Sequence, residues 1–177
     1  MTLSPRGALL MLVTLAVTTS GCYSPPKTGN PAVEDRATRK RTERNLDIAI
    51  RGEGYFIVQL PTTSGFLFTR RGALSVASSG ELVNADGYRL YPPISVADAS
   101  GLSITPDGLV RVAHSAPELK DLPPEVAGQI VLSRFSNISG LLRDGAYVMP
   151  GATTEQPVTG RPGTNGLGTI IVGELEE

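Results

Sequence analysis

The sequence predicts an all-β body, and three observations carry that prediction. Apolar residues alternate with polar ones at a period of two, glycine-centred turns separate these runs at short intervals, and no helical period is sustained beyond a turn or two after Leu46. Composition agrees: glycine (20) and proline (14) are frequent while aromatics make up only 5% and tryptophan is absent, as expected for many short strands joined by tight turns.

Taken in order, Leu46, Ile48 and Ile50 alternate with Asp47 and Ala49, giving a strand with one apolar face. Arg51-Gly52-Glu53-Gly54 is a turn, followed by the β-forming run Tyr55 to Leu60 and, after Pro61 to Gly65, by Phe66-Leu67-Phe68-Thr69. Gly72 to Val76, a Ser78-Ser79-Gly80 turn and Glu81 to Asn84 form a hairpin signal. Ala85-Asp86-Gly87 turns into Tyr88 to Tyr91, and Leu102 to Ile104, Pro106-Asp107-Gly108 and Leu109 to Val112 make another hairpin. Gly128 to Phe135 is the longest candidate strand. Tyr147-Val148 and Thr169 to Val172 complete the series, and Ala116 to Leu122 is the one place for a helical turn. Gly52, Gly54, Gly72, Gly80, Gly87 and Gly108 are expected to supply turn geometry, because glycine alone reaches positive φ without steric cost.

The amino-terminal residues read differently. Arg6 precedes the apolar run Ala8 to Val17, whose length of about ten residues suits a signal-peptide h-region, whereas a membrane span needs about twenty. Thr19-Ser20-Gly21-Cys22 follows. This quartet resembles the bacterial lipobox, with small residues before a cysteine that receives lipid, although Thr19 stands where that motif prefers an aliphatic residue. The resemblance implies lipid attachment at Cys22, the sole cysteine of 177 residues. Tyr23, not aspartate, follows it, which by the sorting rule of such lipoproteins implies an outer-membrane anchor facing the periplasm. The expected organisation is a signal at 1–21 with a helical core, a Pro-rich and basic tether at 22–45, and an all-β domain at 46–177. Arg36, Arg39, Lys40, Arg41 and Arg44 within the tether read as a solvated linker, with attraction to acidic head groups or wall polymers as the alternative.

A catalytic role finds no support in the residues. His114 is the only histidine, so a histidine metal cluster is impossible, and no Gly-x-Ser-x-Gly elbow presents a nucleophile. Glu53, Glu81, Asp86 and Asp107 each sit beside a turn glycine, where carboxylates cap turns or face solvent. Gly163-Thr164-Asn165-Gly166-Leu167-Gly168 lacks the Gly-Lys-Ser/Thr ending of a phosphate loop and leads into a strand, so it reads as a turn. No catalytic residue, metal, cofactor or small-molecule substrate is therefore expected. The formal net charge of -1 gives no reason to expect nucleic acid as a partner.

Several blocks, in order, resemble the flagellar rod and hook proteins, above all the distal-rod type. They are Leu46-Asp47-Ile48-Ala49-Ile50-Arg51-Gly52-Glu53-Gly54-Tyr55-Phe56, Phe68-Thr69-Arg70-Arg71-Gly72, Ser79-Gly80-Glu81-Leu82-Val83 and Asp86-Gly87-Tyr88-Arg89-Leu90. Ile104 to Val112, Gly128 to Phe135, Leu141 to Tyr147 and Gly163 to Val172 continue the likeness. It implies a compact, multi-hairpin domain of sandwich or barrel-like form, the middle domain of that family. The expectation is this domain without the heptad-patterned helices by which axial subunits polymerise, fused to a lipoprotein signal. The implied function is an accessory, structural lipoprotein of the basal body, with rod, hook or ring proteins as partners and the membrane engaged through lipid. The alternative is a non-flagellar envelope lipoprotein that uses the same domain to bind a wall component.

Overall fold

The computed structural model describes residues 38–61, 65–96, 101–114 and 116–176. The signal region and its expected helix, with Thr19, Ser20, Gly21 and Cys22, lie outside them. The described residues form sixteen strands: β1 (Arg39–Arg41), β2 (Asp47–Arg51), β3 (Tyr55–Gln59), β4 (Phe66–Thr69), β5 (Gly72–Val76), β6 (Leu82–Asn84), β7 (Arg89–Leu90), β8 (Leu102–Ile104), β9 (Leu109–Val112), β10 (Glu125–Gln129), β11 (Leu132–Arg134), β12 (Leu141–Asp144), β13 (Tyr147–Pro150), β14 (Val158–Gly160), β15 (Thr169–Val172) and β16 (Glu174–Glu176). The single helical element among them is a 3-10 turn, Pro117–Leu119. The fold is all-β.

Every strand pairing among the described residues is antiparallel, and short turns join the hairpins β5–β6, β8–β9 and β12–β13. The main sheet runs β12-β13-β4-β3-β7-β6-β5-β2-β15, with β11 bridging β3 to β14. A three-stranded sheet, β10-β9-β8, and a two-stranded ribbon, β1-β16, complete the body. The small sheet sends Leu102, Ile104 and Val110 into the same core as Ile48, Ile50, Phe56, Val58 and Leu132 of the large one, so the two sheets share one apolar interior. A second cluster joins Ile57, Phe68, Phe135, Leu141 and Val148. The period of two explains the division: Phe56 and Val58 of β3 face the first core and Ile57 the second. Phe135 meets Phe68 edge-on at 4.9 Å and Tyr55 at 6.0 Å, closing the second cluster.

Three expectations are corrected. The strand at Leu46 to Ile50 has two buried faces rather than one, since Asp47 (2%) and Ala49 (0%) are as inaccessible as Ile48 and Ile50. Gly128 to Phe135 is not one strand. The chain pairs with β9 up to Gln129, the Ile130 amide then bonds the Gly108 carbonyl at 2.7 Å, and from Leu132 the chain pairs with β3 and β14. It leaves one sheet and joins another. Within the segment read as a tether, Arg39–Arg41 is a strand, with Arg39 opposite Glu176, Lys40 opposite Leu175 and Arg41 opposite Glu174.

Candidate interaction surface

The expected turn glycines fall into two physical classes. Gly52, Gly54, Gly80, Gly87 and Gly108 have φ of 104°, 131°, 83°, 82° and 84°, the left-handed region in which a side chain is strained. Gly72 is different. It pairs with Ile48 across β2 and β5, where a Cβ would stand 1.9 Å from the Ile48 carbonyl oxygen, so it serves close backbone approach and not a turn. The glycine-rich 163–168 segment is a turn that seats on the β2–β3 connection, with the Gly168 amide donating to the Glu53 carbonyl at 2.7 Å.

The candidate chemical groups are dispersed and already engaged. His114 is half-buried, with Nε2 3.2 Å from the Pro123 carbonyl oxygen. Glu53 pairs with Arg134 at 3.5 Å, and Glu81 with Arg89 at 3.2 Å. Asp107 accepts a hydrogen bond from the Thr105 hydroxyl, which holds its carboxyl below the usual aspartate range. No group of three or more His, Cys, Asp or Glu side chains among the described residues could hold a metal ion.

Two polar knots escaped the sequence reading. The first centres on Arg70, in the Phe68-Thr69-Arg70-Arg71-Gly72 block. Its Nη1 donates to the Gly52 and Gly54 carbonyls at 3.0 and 2.8 Å, Nη2 to the Ile50 carbonyl at 3.1 Å, and Nε to Glu176 Oε1 at 2.5 Å. A planar guanidinium can serve all of these acceptors at once. The motif was visible as a resemblance, but the partners, 16 to 106 positions away in the chain, were not. The second knot ties two hairpins together. Asn84, buried at the end of β6, donates to the Tyr147 hydroxyl at 2.7 Å, and that hydroxyl donates to Asp86. Burial and then the bond to Asp86 push the Tyr147 phenol above the usual tyrosine range.

Beside this knot lies an open groove of about 510 Å³, floored by Leu60, Leu67 and Met149 and rimmed by Arg71, Asp86 and Asp144. Elsewhere the surface exposes Phe66 against Tyr91, Leu142, Val158, and the group Leu119, Leu122 and Val126.

Comparison with known proteins places the domain. Residues 49–112 match the model of the flagellar hook protein FlgE/F/G D1 domain. The flagellar basal-body rod protein FlgG of Buchnera aphidicola subsp. Acyrthosiphon pisum is 30% identical over 147 residues, covering 81% of this chain and 54% of that protein. FlgG of Borreliella burgdorferi is 32% identical over 146 residues, 80% of this chain and 53% of its own length. The flagellar hook protein FlgE of Brucella melitensis shares 36% identity over 84 residues, 48% of this chain and 21% of FlgE. These matches support a likeness of the β-body to the flagellar rod and hook protein family. It spans about half the length of the curated rod proteins it matches.

Proposed function

We propose that this chain is an accessory, structural lipoprotein of the flagellar basal body, held to the outer membrane through lipid on Cys22 and acting by binding rod, hook or ring proteins. The observation that carries the reading is the family likeness over about four-fifths of a chain whose first residues read as a signal and lipobox, Thr19-Ser20-Gly21-Cys22. Rod proteins supply the location, and the lipobox supplies the anchor. A single acyl chain holds a protein only marginally, so the two or three chains of a processed lipoprotein are needed for stable attachment.

The β1–β16 ribbon gives this reading a geometry. The first strand of the described residues, β1, begins at Arg39 and pairs with β16. The stretch from Tyr23 to Thr38 then spans at most roughly 55 Å when fully extended, which bounds the distance between body and bilayer. The same ribbon sets Arg39 opposite Glu176 and Arg41 opposite Glu174 in register.

The test is recovery of the tagged chain with isolated hook–basal bodies, alongside a Cys22→Ala variant. The reading expects the parent chain in the basal-body fraction and the variant depleted from it. A chain present in the outer membrane yet absent from clean basal bodies would overturn the flagellar assignment in favour of a non-flagellar envelope role.

A further inference from the structure

The connection from β9 to β10 departs from the rest of the body in one respect: it buries almost nothing. Ten consecutive residues, Pro117 to Val126, running through the connection into the first two residues of β10, are exposed, although they include two leucines and a valine. Leu119, Leu122 and Val126 are 40%, 53% and 55% exposed. A connection of this length inside a compact domain without buried residues is uncommon unless it serves binding.

Its backbone is nevertheless ordered. The Leu119 amide donates to the Ala116 carbonyl and the Leu122 amide to the Leu119 carbonyl, each at 3.0 Å. Successive bonds of this i to i+3 kind place side chains three apart on one face, which brings Leu119 and Leu122 side by side. Pro117, Pro123 and Pro124 restrict the chain further, and His114 Nε2 lies 3.2 Å from the Pro123 carbonyl oxygen. The two leucines are thus presented on a stiffened loop, so little ordering entropy opposes their docking.

Charge selects the occupant. Glu118, Asp121 and Glu125, all exposed, neighbour the leucines along the chain, with Lys120 as the one cation in the stretch. Arg111 lies across from Val126 at the far end, where its charge acts on Asp107 of the β8–β9 turn. A second copy of this patch would set like carboxylates against each other, which disfavours self-association there. We propose that the 117–126 loop is the docking element of this domain, inserting Leu119 and Leu122 into an apolar groove flanked by lysines or arginines on a basal-body protein. The inference rests on the flagellar reading and deepens it by naming the surface and the partner's chemistry.

The experiment uses the full tagged chain in its own bacterium and isolated hook–basal bodies as the probe. Leu119→Ser/Leu122→Ser is expected to lower the bound fraction about tenfold or more. Glu118→Lys/Asp121→Lys/Glu125→Lys is expected to lower it as well, and wild-type binding should weaken as salt rises from about 50 to about 300 mM. Leu142→Ser, an exposed leucine on β12, should bind as wild type. Because all substituted residues are exposed, melting temperatures should match, separating lost docking from lost folding. Wild-type recovery with the double-serine variant equally bound would overturn the surface assignment alone. Absence of the wild type itself from basal bodies would overturn the flagellar reading and this inference with it.

Discussion

Replacing Arg70 with methionine removes a hub whose worth follows from its partners. The substitution keeps much of the side-chain volume and deletes the guanidinium. Three backbone carbonyls, at Ile50, Gly52 and Gly54, lose their charged donor, and the Glu176 carboxylate loses its partner. The Arg70 and Glu176 side chains are only 17% and 9% exposed, so water replaces these bonds incompletely. An unsatisfied buried acceptor costs about 1–3 kcal/mol, and breaking a buried ion pair about 3–5 kcal/mol. These penalties overlap at one site, and water entry relieves part of them, leaving an expected loss of about 3–5 kcal/mol. For a domain of this size that lowers the melting temperature by roughly 10–15 °C. Thermal denaturation followed by circular dichroism measures it. Glu176→Gln should cost only about 1 kcal/mol, because the three carbonyl bonds persist. Arg70→Lys should retain less than half of the effect, since a single ammonium cannot span three carbonyls in fixed directions. An Arg70→Met protein within about 1 kcal/mol of wild type would refute the view that this residue organises the β2–β3 turn.

Other substitutions separate strain from collision. Gly87→Ala meets nothing within 4 Å and should cost about 1 kcal/mol through positive φ alone, while Gly108→Val also drives its Cβ to 2.6 Å from the Ile130 carbonyl oxygen and should cost several times as much by urea denaturation. Gly72→Ala should prevent a soluble, folded product, as no neighbouring backbone can yield at 1.9 Å; a well-folded variant would contradict the β2–β5 register. In alkaline titration read by phenolate absorbance, Tyr147 should ionise above the usual tyrosine range, and Tyr147→Phe should abolish that late phase. Because the folded phenol holds its proton more tightly than the unfolded one, its stabilising contribution is full below the ordinary tyrosine value. It falls as pH rises toward the folded value, so Tyr147→Phe should flatten the alkaline loss of stability.

The hairpins were legible because their determinants are local. Gly80 between Val76 and Leu82, and Gly108 between Ile104 and Leu109, carry positive φ at positions where alternation on both sides already marked strands. Local pattern failed where a strand gained a second covered face. The alternation gave β2 one apolar face, yet Asp47 and Ala49 are buried too, with β15 paired along one edge of β2, β16 in contact with it and Asp47 3.2 Å from Arg44. It failed again at Gly128 to Phe135, an unbroken strand-forming run whose division depends on an Ile130 amide that finds its acceptor at Gly108 in another hairpin. Neither outcome has a signature within a window of ten residues.

By itself the sequence determined the all-β character and the positions of most turns. Those properties depend on steric freedom at single glycines and on a period of two, both of which are properties of neighbours in the chain. Only the tertiary structure decided which strands meet. It set Arg39 and Arg41 of β1 opposite Glu176 and Glu174 of β16, aimed Arg70 at carbonyls of a distant turn, and left Leu119 and Leu122 outside the core. The physical reason is shared by all three. A charge, a donor or an apolar side chain has no preferred partner until long-range pairing sets what lies within reach.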